Sequence, residues 1–171
     1  MAAELRSSSQ PYHLTADPNE ANTDETLDKA VGKKVESLTR AFLQAINDRH
    51  FDISDLIYRH KSVKFRANAE HFSSQELTLA EYLAAFHELT TQHPQHYANP
   101  LDMTTYVERE LGYAKVFLNV EVTGCPVGIV RKSVAVVEFQ LEGADWKCIG
   151  WGSMVGDVGK LTGAITERSS I

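Results

Sequence analysis

The polar residues best placed for chemistry flank a turn in the C-terminal half of the chain, among strand-like apolar residues. Glu121 and Arg131 lie at equal sequence distances from Pro126, at the centre of this turn. A symmetric hairpin places Glu121 opposite Arg131 and Asn119 opposite Ser133. A carboxylate, a guanidinium, an amide and a hydroxyl are then predicted to converge on one sheet face.

The same face is otherwise apolar, which is the composition of a ligand site. Its other members on these strands are Phe117, Ala135, Val137 and Phe139. The alternative interpretation is an exposed cross-strand ion pair, worth about 1 kcal/mol or less. The arrangement depends on the register, because a shift of one residue moves one strand's side chains to the other face.

The opposite face is apolar too, so either face could enclose a pocket. It carries Val116, Leu118, Val120, Val122, Val134, Val136, Ile149 and Trp151. If this face lines the pocket, Tyr106, Glu108 and Glu138 become competing candidates. Glu138 lies among apolar residues, which would raise its pKa and suit a general acid or base.

Histidines provide further candidates for proton transfer. His87 lies at the edge of the apolar stripe of a predicted helix and could point into a cavity; the alternative is a partly exposed packing role. His50 and Asp52 could form a histidine–carboxylate proton shuttle.

Metal and nucleophile motifs are lacking in the sequence. His93 and His96 with Glu88 or Asp102 are the nearest approach to a metal site, but no HExxH motif is present. No GxSxG, P-loop or GxGxxG pattern occurs either. We therefore expect no metal and no cofactor.

Helical periodicity places three helices before the strands. The first begins near Val35 and carries Leu38, Phe42, Leu43 and Ile46; a second, shorter one contains Leu56, Ile57 and Tyr58. Val63 and Phe65 predict a short strand. The third helix follows a capping box formed by Thr78 and Glu81, and it ends at His93-Pro94.

From Met103 onward the pattern favours strands. Four strands, joined by short turns, are predicted at Met103–Glu110, Ala114–Thr123, Ile129–Leu141 and Trp146–Met154. Strands this long favour a strongly twisted sheet over a flat one. The fold class is therefore α+β, with a curved antiparallel half-barrel around the N-terminal helices.

This order of elements resembles the nuclear-transport-factor-2-like superfamily, which includes SnoaL-like polyketide cyclases, scytalone dehydratase and ketosteroid isomerase. The resemblance covers about Val35 to Gly156 and rests on the segments Lys115 to Gly124, Ser133 to Phe139 and Trp146 to Ile149. It implies a cone-shaped cavity and a homodimer contact on the outer sheet face. The substrate-binding candidates are Tyr58, Phe86, Tyr106, Phe117, Ser133, Phe139 and Trp151.

Composition narrows the class of protein. A formal charge of −6, from 17 basic and 23 acidic residues, gives no reason to expect nucleic acid. No apolar run is long enough to span a membrane. Cys125 and Cys148 do not have a metal or disulfide-scaffold spacing, which favours free thiols in a cytoplasmic protein.

Residues 1–34 are predicted as a flexible arm, residues 35–156 as one domain and residues 157–171 as a tail.

Two functions remain open from the sequence. The first is a cofactor-independent isomerase, dehydratase or cyclase that acts on a small, largely apolar metabolite, polyketide- or terpenoid-like, by general acid and base catalysis. Its catalytic candidates are Glu121, Arg131, Asn119 and His87. The alternative is a non-catalytic module that binds a small ligand or a protein partner. A nuclear transport adaptor is less favoured, because no peptide-recognition surface is evident.

Overall fold

The structure, a computed structural model, describes residues 18–69 and 72–155 of the 171-residue chain. In chain order the elements are helix α1 (Pro18–Asn47), a 3-10 helix (Leu56–His60), strand β1 (Lys61–Ala69), helix α2 (Leu79–Gln92), β2 (Tyr97–Glu108), β3 (Tyr113–Thr123), β4 (Val130–Glu142) and β5 (Asp145–Val155). The predicted C-terminal tail and the first part of the predicted arm lie outside the described residues.

The first helix is longer than its apolar periodicity indicated. It begins at Pro18, so the predicted start at Val35 is wrong. The additional turns lie against the end of β2, where Arg109 donates to the Asp28 carboxylate and Gly32 lies close to the Thr105 side chain. The residues in these contacts are distant in sequence, so a local hydrophobic pattern does not reveal them.

The second long helix has the predicted cap. The Thr78 hydroxyl accepts from the Glu81 N–H, and the Glu81 carboxylate accepts from the Thr78 N–H at 2.8 Å. Tyr82 and Leu83 lie on its buried face, each 1% exposed. The predicted boundary at His93-Pro94 is confirmed, since the helix ends at Gln92 with His93 as its C-cap residue.

The sheet has five strands in the order β1-β5-β4-β3-β2. The predicted antiparallel meander corresponds to β2 through β5. The first strand, β1, adds to it in parallel beside β5, with Ala67 next to Trp151. The predicted α+β half-barrel is therefore confirmed, and the sheet is mixed and open.

Strand β2 begins at Tyr97, earlier than the predicted Met103, and runs through Asn99-Pro100. A register irregularity follows between Pro100 and Asp102. Proline is tolerated here because β2 is an edge strand and the ladder is already interrupted.

The core fills the space between α1, α2 and the inner sheet face. Its largest fully buried side chains include Tyr82, Phe65, Phe139, Ile46, Leu83 and Leu118. The Phe42 ring lies 5.5 Å from Trp151 and 6.3 Å from Tyr82, so an aromatic cluster joins both helices to the sheet. Tyr82 and Trp151 of this cluster also line the cavity described next.

Candidate functional site

The hairpin between β3 and β4 determines which polar residues share a face. Glu121 pairs with Lys132 and Asn119 pairs with Val134. The predicted pairing of Glu121 with Arg131 is therefore wrong by one residue. The turn is not centred on Pro126, because the Ile129 N–H donates to the Pro126 carbonyl and the first pair joins Thr123 to Val130.

The shift separates the four predicted polar groups. Arg131 and Ser133 lie on the inner face, beside Val122 and Val120 respectively. Glu121 and Asn119 lie with Phe117 on the outer face. Asn119 Nδ2 donates to Asp102 Oδ1 at 2.8 Å on that face. The sequence had predicted Val120 and Arg131 on opposite faces of the sheet. In the structure both lie on the inner face, because β4 is shifted by one residue relative to β3.

A cavity of about 290 Å³ lies between the helices and the inner sheet face. Its volume is roughly twice that of a ~150 Å³ apolar cavity that admits benzene. Aliphatic and aromatic side chains form most of the wall. The lining residues are Leu43, Phe72, Tyr82, Phe86, Leu89, His96, Ala98, Val120, Val122, Cys125, Arg131, Ser133, Ala135, Trp151 and Ser153.

Three polar side chains form a diagonal line across the sheet wall of this cavity. Arg131 and Ser133 are alternate residues of β4, about 6.6 Å apart along the strand. Ser133 pairs with Val155 and Ser153 pairs with Ala135, so the two serines are diagonal neighbours about 7–8 Å apart. We call Arg131, Ser133 and Ser153 the polar row.

Ser153 has a hydroxyl that is available to a ligand. Its Oγ is buried and makes no hydrogen bond within the described part of the chain. A buried polar atom without a partner costs free energy, which a bound acceptor or donor would recover. Sequence reasoning missed Ser153, although it alternates with Trp151 on the same predicted strand and could have been found from that spacing.

His96 also lines the cavity, just before β2, and is 5% exposed. Its ring lies 6.0 Å from that of Phe86. The His96 carbonyl accepts from Arg49 Nη2 at 2.8 Å, and the His96 N–H donates to the His93 carbonyl at 2.9 Å.

The turn after β3 supports this histidine. A Cβ atom at Gly124 would lie 2.0 Å from the carbonyl oxygen of Gln95, and Gly124 has φ +76°. Only glycine therefore allows the backbones to approach so closely. The sequence had suggested His96 only as part of a possible metal site. Its position in the cavity could not be predicted, because His96 lies in the loop between α2 and β2 and a loop has no hydrophobic periodicity.

Two of the predicted substrate-binding residues besides Ser133 also line the cavity, namely Phe86 and Trp151. Tyr58 and Phe139 are buried in the core instead. The Tyr58 hydroxyl donates to the His50 carbonyl, and burial raises the pKa of Tyr58 to about 12. Tyr82, in the cavity wall, has its pKa raised well above its usual value by burial, so both phenols stay protonated at neutral pH.

The remaining aromatic and histidine candidates do not line the cavity. Tyr106 and Phe117 are exposed, and His87 lies on the exposed side of α2 with its ring 5.4 Å from Phe51. The proposed pairing of His50 with Asp52 is wrong, because His50 Nδ1 contacts Asp55 Oδ2 at 3.2 Å and both side chains are accessible to solvent.

Glu138 differs from its prediction as well. Its carboxylate accepts from the Tyr113 hydroxyl at 2.6 Å and contacts Lys115 Nζ at 3.1 Å. These partners, first Tyr113 and then Lys115, lower the pKa of Glu138 against the opposing effect of partial burial. The expected rise in pKa is therefore wrong, because the outer face supplies hydrogen bonds that an apolar environment would lack.

A separate buried group, the ammonium of Lys61, belongs to the first residue of β1. The ammonium of Lys61 lies 3.3 Å from the centre of the Phe42 ring and contacts Cys148 Sγ at 3.2 Å. Burial lowers the pKa of Lys61, while Cys148 acts in the opposite direction. The void at this point measures about 10 Å³, which is too small for an organic ligand. Both cysteines are free thiols.

Two negative findings apply to the described residues alone. Within 18–69 and 72–155, no three His, Cys, Asp or Glu side chains come together as they would around a metal ion. None of the helices described combines the length and the apolar character that crossing a bilayer requires.

Comparison with solved structures shows the fold. An NTF2-like protein with a cystatin-like fold from Novosphingobium aromaticivorans superposes with a TM-score of 0.62 at 13% identity, over 87% of this chain and 95% of the other. A candidate dehydratase of the NTF2-like family from Streptomyces avermitilis gives 0.57 at 14% identity, over 75% and 97%. A candidate ketosteroid isomerase from Shewanella frigidimarina gives 0.55 at 10% identity, over 69% and 92%.

The chain thus has the fold of the NTF2-like superfamily, named after nuclear transport factor 2, as its order of elements had predicted. No family model matches the sequence. No curated protein matches it either. Some proteins of this fold carry enzyme names and others have no known function, so the fold alone does not decide between catalysis and binding.

Proposed function

We propose that the protein binds a small, largely apolar metabolite in the cone cavity and acts on it as a cofactor-independent isomerase or dehydratase, by proton transfer. The observation that carries the proposal is the cavity itself. A volume of about 290 Å³ and a mainly apolar wall that includes an imidazole and a serine hydroxyl suit a substrate with one reactive carbonyl.

His96 is the group proposed to move the proton. An imidazole exchanges protons near neutral pH, and an apolar wall excludes water from the reacting atoms. The hydroxyl group of Ser153, which has no hydrogen-bond partner among the described residues, can donate to the oxygen on which negative charge develops when a proton leaves the adjacent carbon. The fold likeness to a candidate isomerase and a candidate dehydratase is compatible with this chemistry.

The earlier catalytic set is revised by this proposal. Arg131 is retained as a cavity residue. Glu121 and Asn119 lie on the outer face, and His87 is exposed on α2, so none of these three is positioned to touch a ligand in the cavity.

The test is hydrogen exchange of 1-tetralone, a neutral bicyclic ketone of suitable size, in D₂O. The protein should accelerate exchange at the carbon next to the carbonyl, as followed by NMR. His96→Phe should lower the protein-dependent rate at least about a hundredfold, since general acid–base catalysis contributes about 10²–10⁴. His87→Phe is the matched control and should retain the rate.

The alternative is binding without turnover, and one observation favours it. No Asp or Glu is among the described residues that line the cavity, whereas a carboxylate is a frequent general base. Saturable binding of 1-tetralone with exchange no faster than in buffer would establish this alternative. Failure to bind any compound of this size would refute both.

We also propose a homodimer through the outer sheet face. Exposed apolar side chains, including Phe117 at 43% and Val134 at 46%, lie beside charges of both signs, Lys132 and Glu121. A face of this kind can be self-complementary about a two-fold axis. Sedimentation should show a dimer at micromolar concentration and a monomer for Phe117→Asp; a monomeric parent protein would refute the contact.

A further inference from the structure

We infer that the metabolite bound in this cavity carries a carboxylate or a similar anionic group, and that Arg131 binds it. The inference rests on the proposed function, because it concerns the same cavity. The inference specifies the charge of the ligand and places that charge at the Arg131 end of the cavity.

The first argument is the contrast in charge between the cavity and the chain. The chain has 23 acidic and 17 basic residues. Among the described residues that line the cavity, however, none is acidic and one, Arg131, is a permanent cation. The cavity therefore has a local charge opposite to that of the whole protein, and it favours an anion.

The second argument is that Arg131 is half-buried and has no counter-ion among the described residues. No carboxylate of the described residues forms an ion pair with it. A cation next to an apolar wall is poorly solvated, so a bound anion gains more there than at the surface. The next residue, Lys132, lies on the outer face opposite Glu121, so within the described residues the inner cation is the one without a carboxylate across the strand.

The third argument is geometric. A guanidinium binds a carboxylate through two parallel hydrogen bonds, which also fixes the orientation of the ligand. Ser133 is the next inward residue on β4, and Ser153 follows diagonally. A ligand held at Arg131 would therefore lie along the polar row, with its apolar body over Ala135 and Trp151 and a second polar group, such as a carbonyl, near Ser153. The predicted ligand class is a compact amphipathic carboxylic acid.

The test compares two isosteric probes, 2-naphthoate and the neutral 2-naphthamide, by isothermal titration calorimetry at pH 7 and 0.15 M salt. The variants are Arg131→Gln and, as the matched control on the other face of the same strand, Lys132→Gln. The parent protein should bind 2-naphthoate about ten- to a hundredfold more tightly than the amide. Arg131→Gln should abolish this preference without changing the affinity for the amide, and Lys132→Gln should leave both affinities unchanged.

Arg131→Lys keeps the charge but not the two-pronged geometry. It should weaken 2-naphthoate binding at least threefold, and it serves as the deciding variant if thermal melting shows that Arg131→Gln does not fold. Equal affinities of the parent protein for the two probes would overturn the inference but leave the proposed function intact. Binding of neither probe would overturn the proposed function itself.

Discussion

Replacement of Lys61 by methionine tests whether a buried ammonium weakens this fold. The Lys61 Nζ atom lies over the Phe42 ring and contacts Cys148 Sγ, but it has no carboxylate partner in the described part of the chain. Methionine has a similar length, no charge, and a thioether that packs favourably against aromatic rings. We expect Lys61→Met to be more stable than the parent protein.

The magnitude follows from opposing contributions. Removing an ammonium from water costs several kcal/mol after relaxation. The contact with the Phe42 ring returns about 2 kcal/mol and the hydrogen bond to the thiol about 1 kcal/mol. The expected net gain for Lys61→Met is about 1–3 kcal/mol, which corresponds to a rise in Tm of roughly 3–10 °C for a chain of this size.

The pH dependence has a definite sign. Because burial lowers the pKa of Lys61 in the folded state, the unfolded chain binds more protons between that lowered pKa and the usual value near 10.4. Within this window the stability of the parent protein rises with pH. The advantage of Lys61→Met should therefore be full at lower pH and should shrink as the pH approaches the usual lysine value.

Urea denaturation at several pH values measures both effects. Lys64→Met is the matched control, because Lys64 is exposed on the same strand, and it should change the free energy of unfolding by less than about 0.5 kcal/mol. A loss of more than about 1 kcal/mol in Lys61→Met would refute the reasoning. It would mean that the ring and thiol contacts outweigh the desolvation of the ammonium.

Two further stability predictions concern the turn next to His96 and the start of α2. Gly124→Ala should destabilise by about 3 kcal/mol or more in urea denaturation, because its Cβ would overlap the Gln95 carbonyl; Gly128→Ala, at φ +83° with open space around it, should cost only about 1–2 kcal/mol. Equal losses would argue against the close approach. Thr78→Ala should lower the free energy of unfolding by about 1 kcal/mol, which would appear as a fall in Tm. An unchanged Tm would contradict the capping box.

The elements with strong local signals were predictable from the sequence. Thr78 and Glu81 identified the start of α2, and alternating β-branched residues identified β3 to β5. The length of α1 and the start of β2 were not predictable, because both depend on contacts distant in sequence. The hydrogen bond of Arg109 to Asp28 in α1 and that of the Ala98 N–H in β2 to Asn47 Oδ1 are examples.

The site was less predictable than the fold because it depends on the register of one hairpin. A shift of one residue moved Glu121 and Asn119 outside and left Arg131 and Ser133 inside. Turn composition did not specify this register, since Gly124 and Gly128 allow more than one path. His96 could not be placed at all, because it belongs to a loop whose position is fixed by Arg49.

The parallel pairing of β1 with β5 has a consequence for the order of folding. Strands β2 to β5 meet their neighbours through short connections, so they can pair soon after chain collapse. Strand β1 must instead find β5 across the intervening sequence, as in the pair Lys61 and Cys148, and such closure is slow because it loses much chain entropy. We therefore expect the meander to form first and β1 to join late, which makes the edge of β5 the surface that a folding intermediate exposes to other chains.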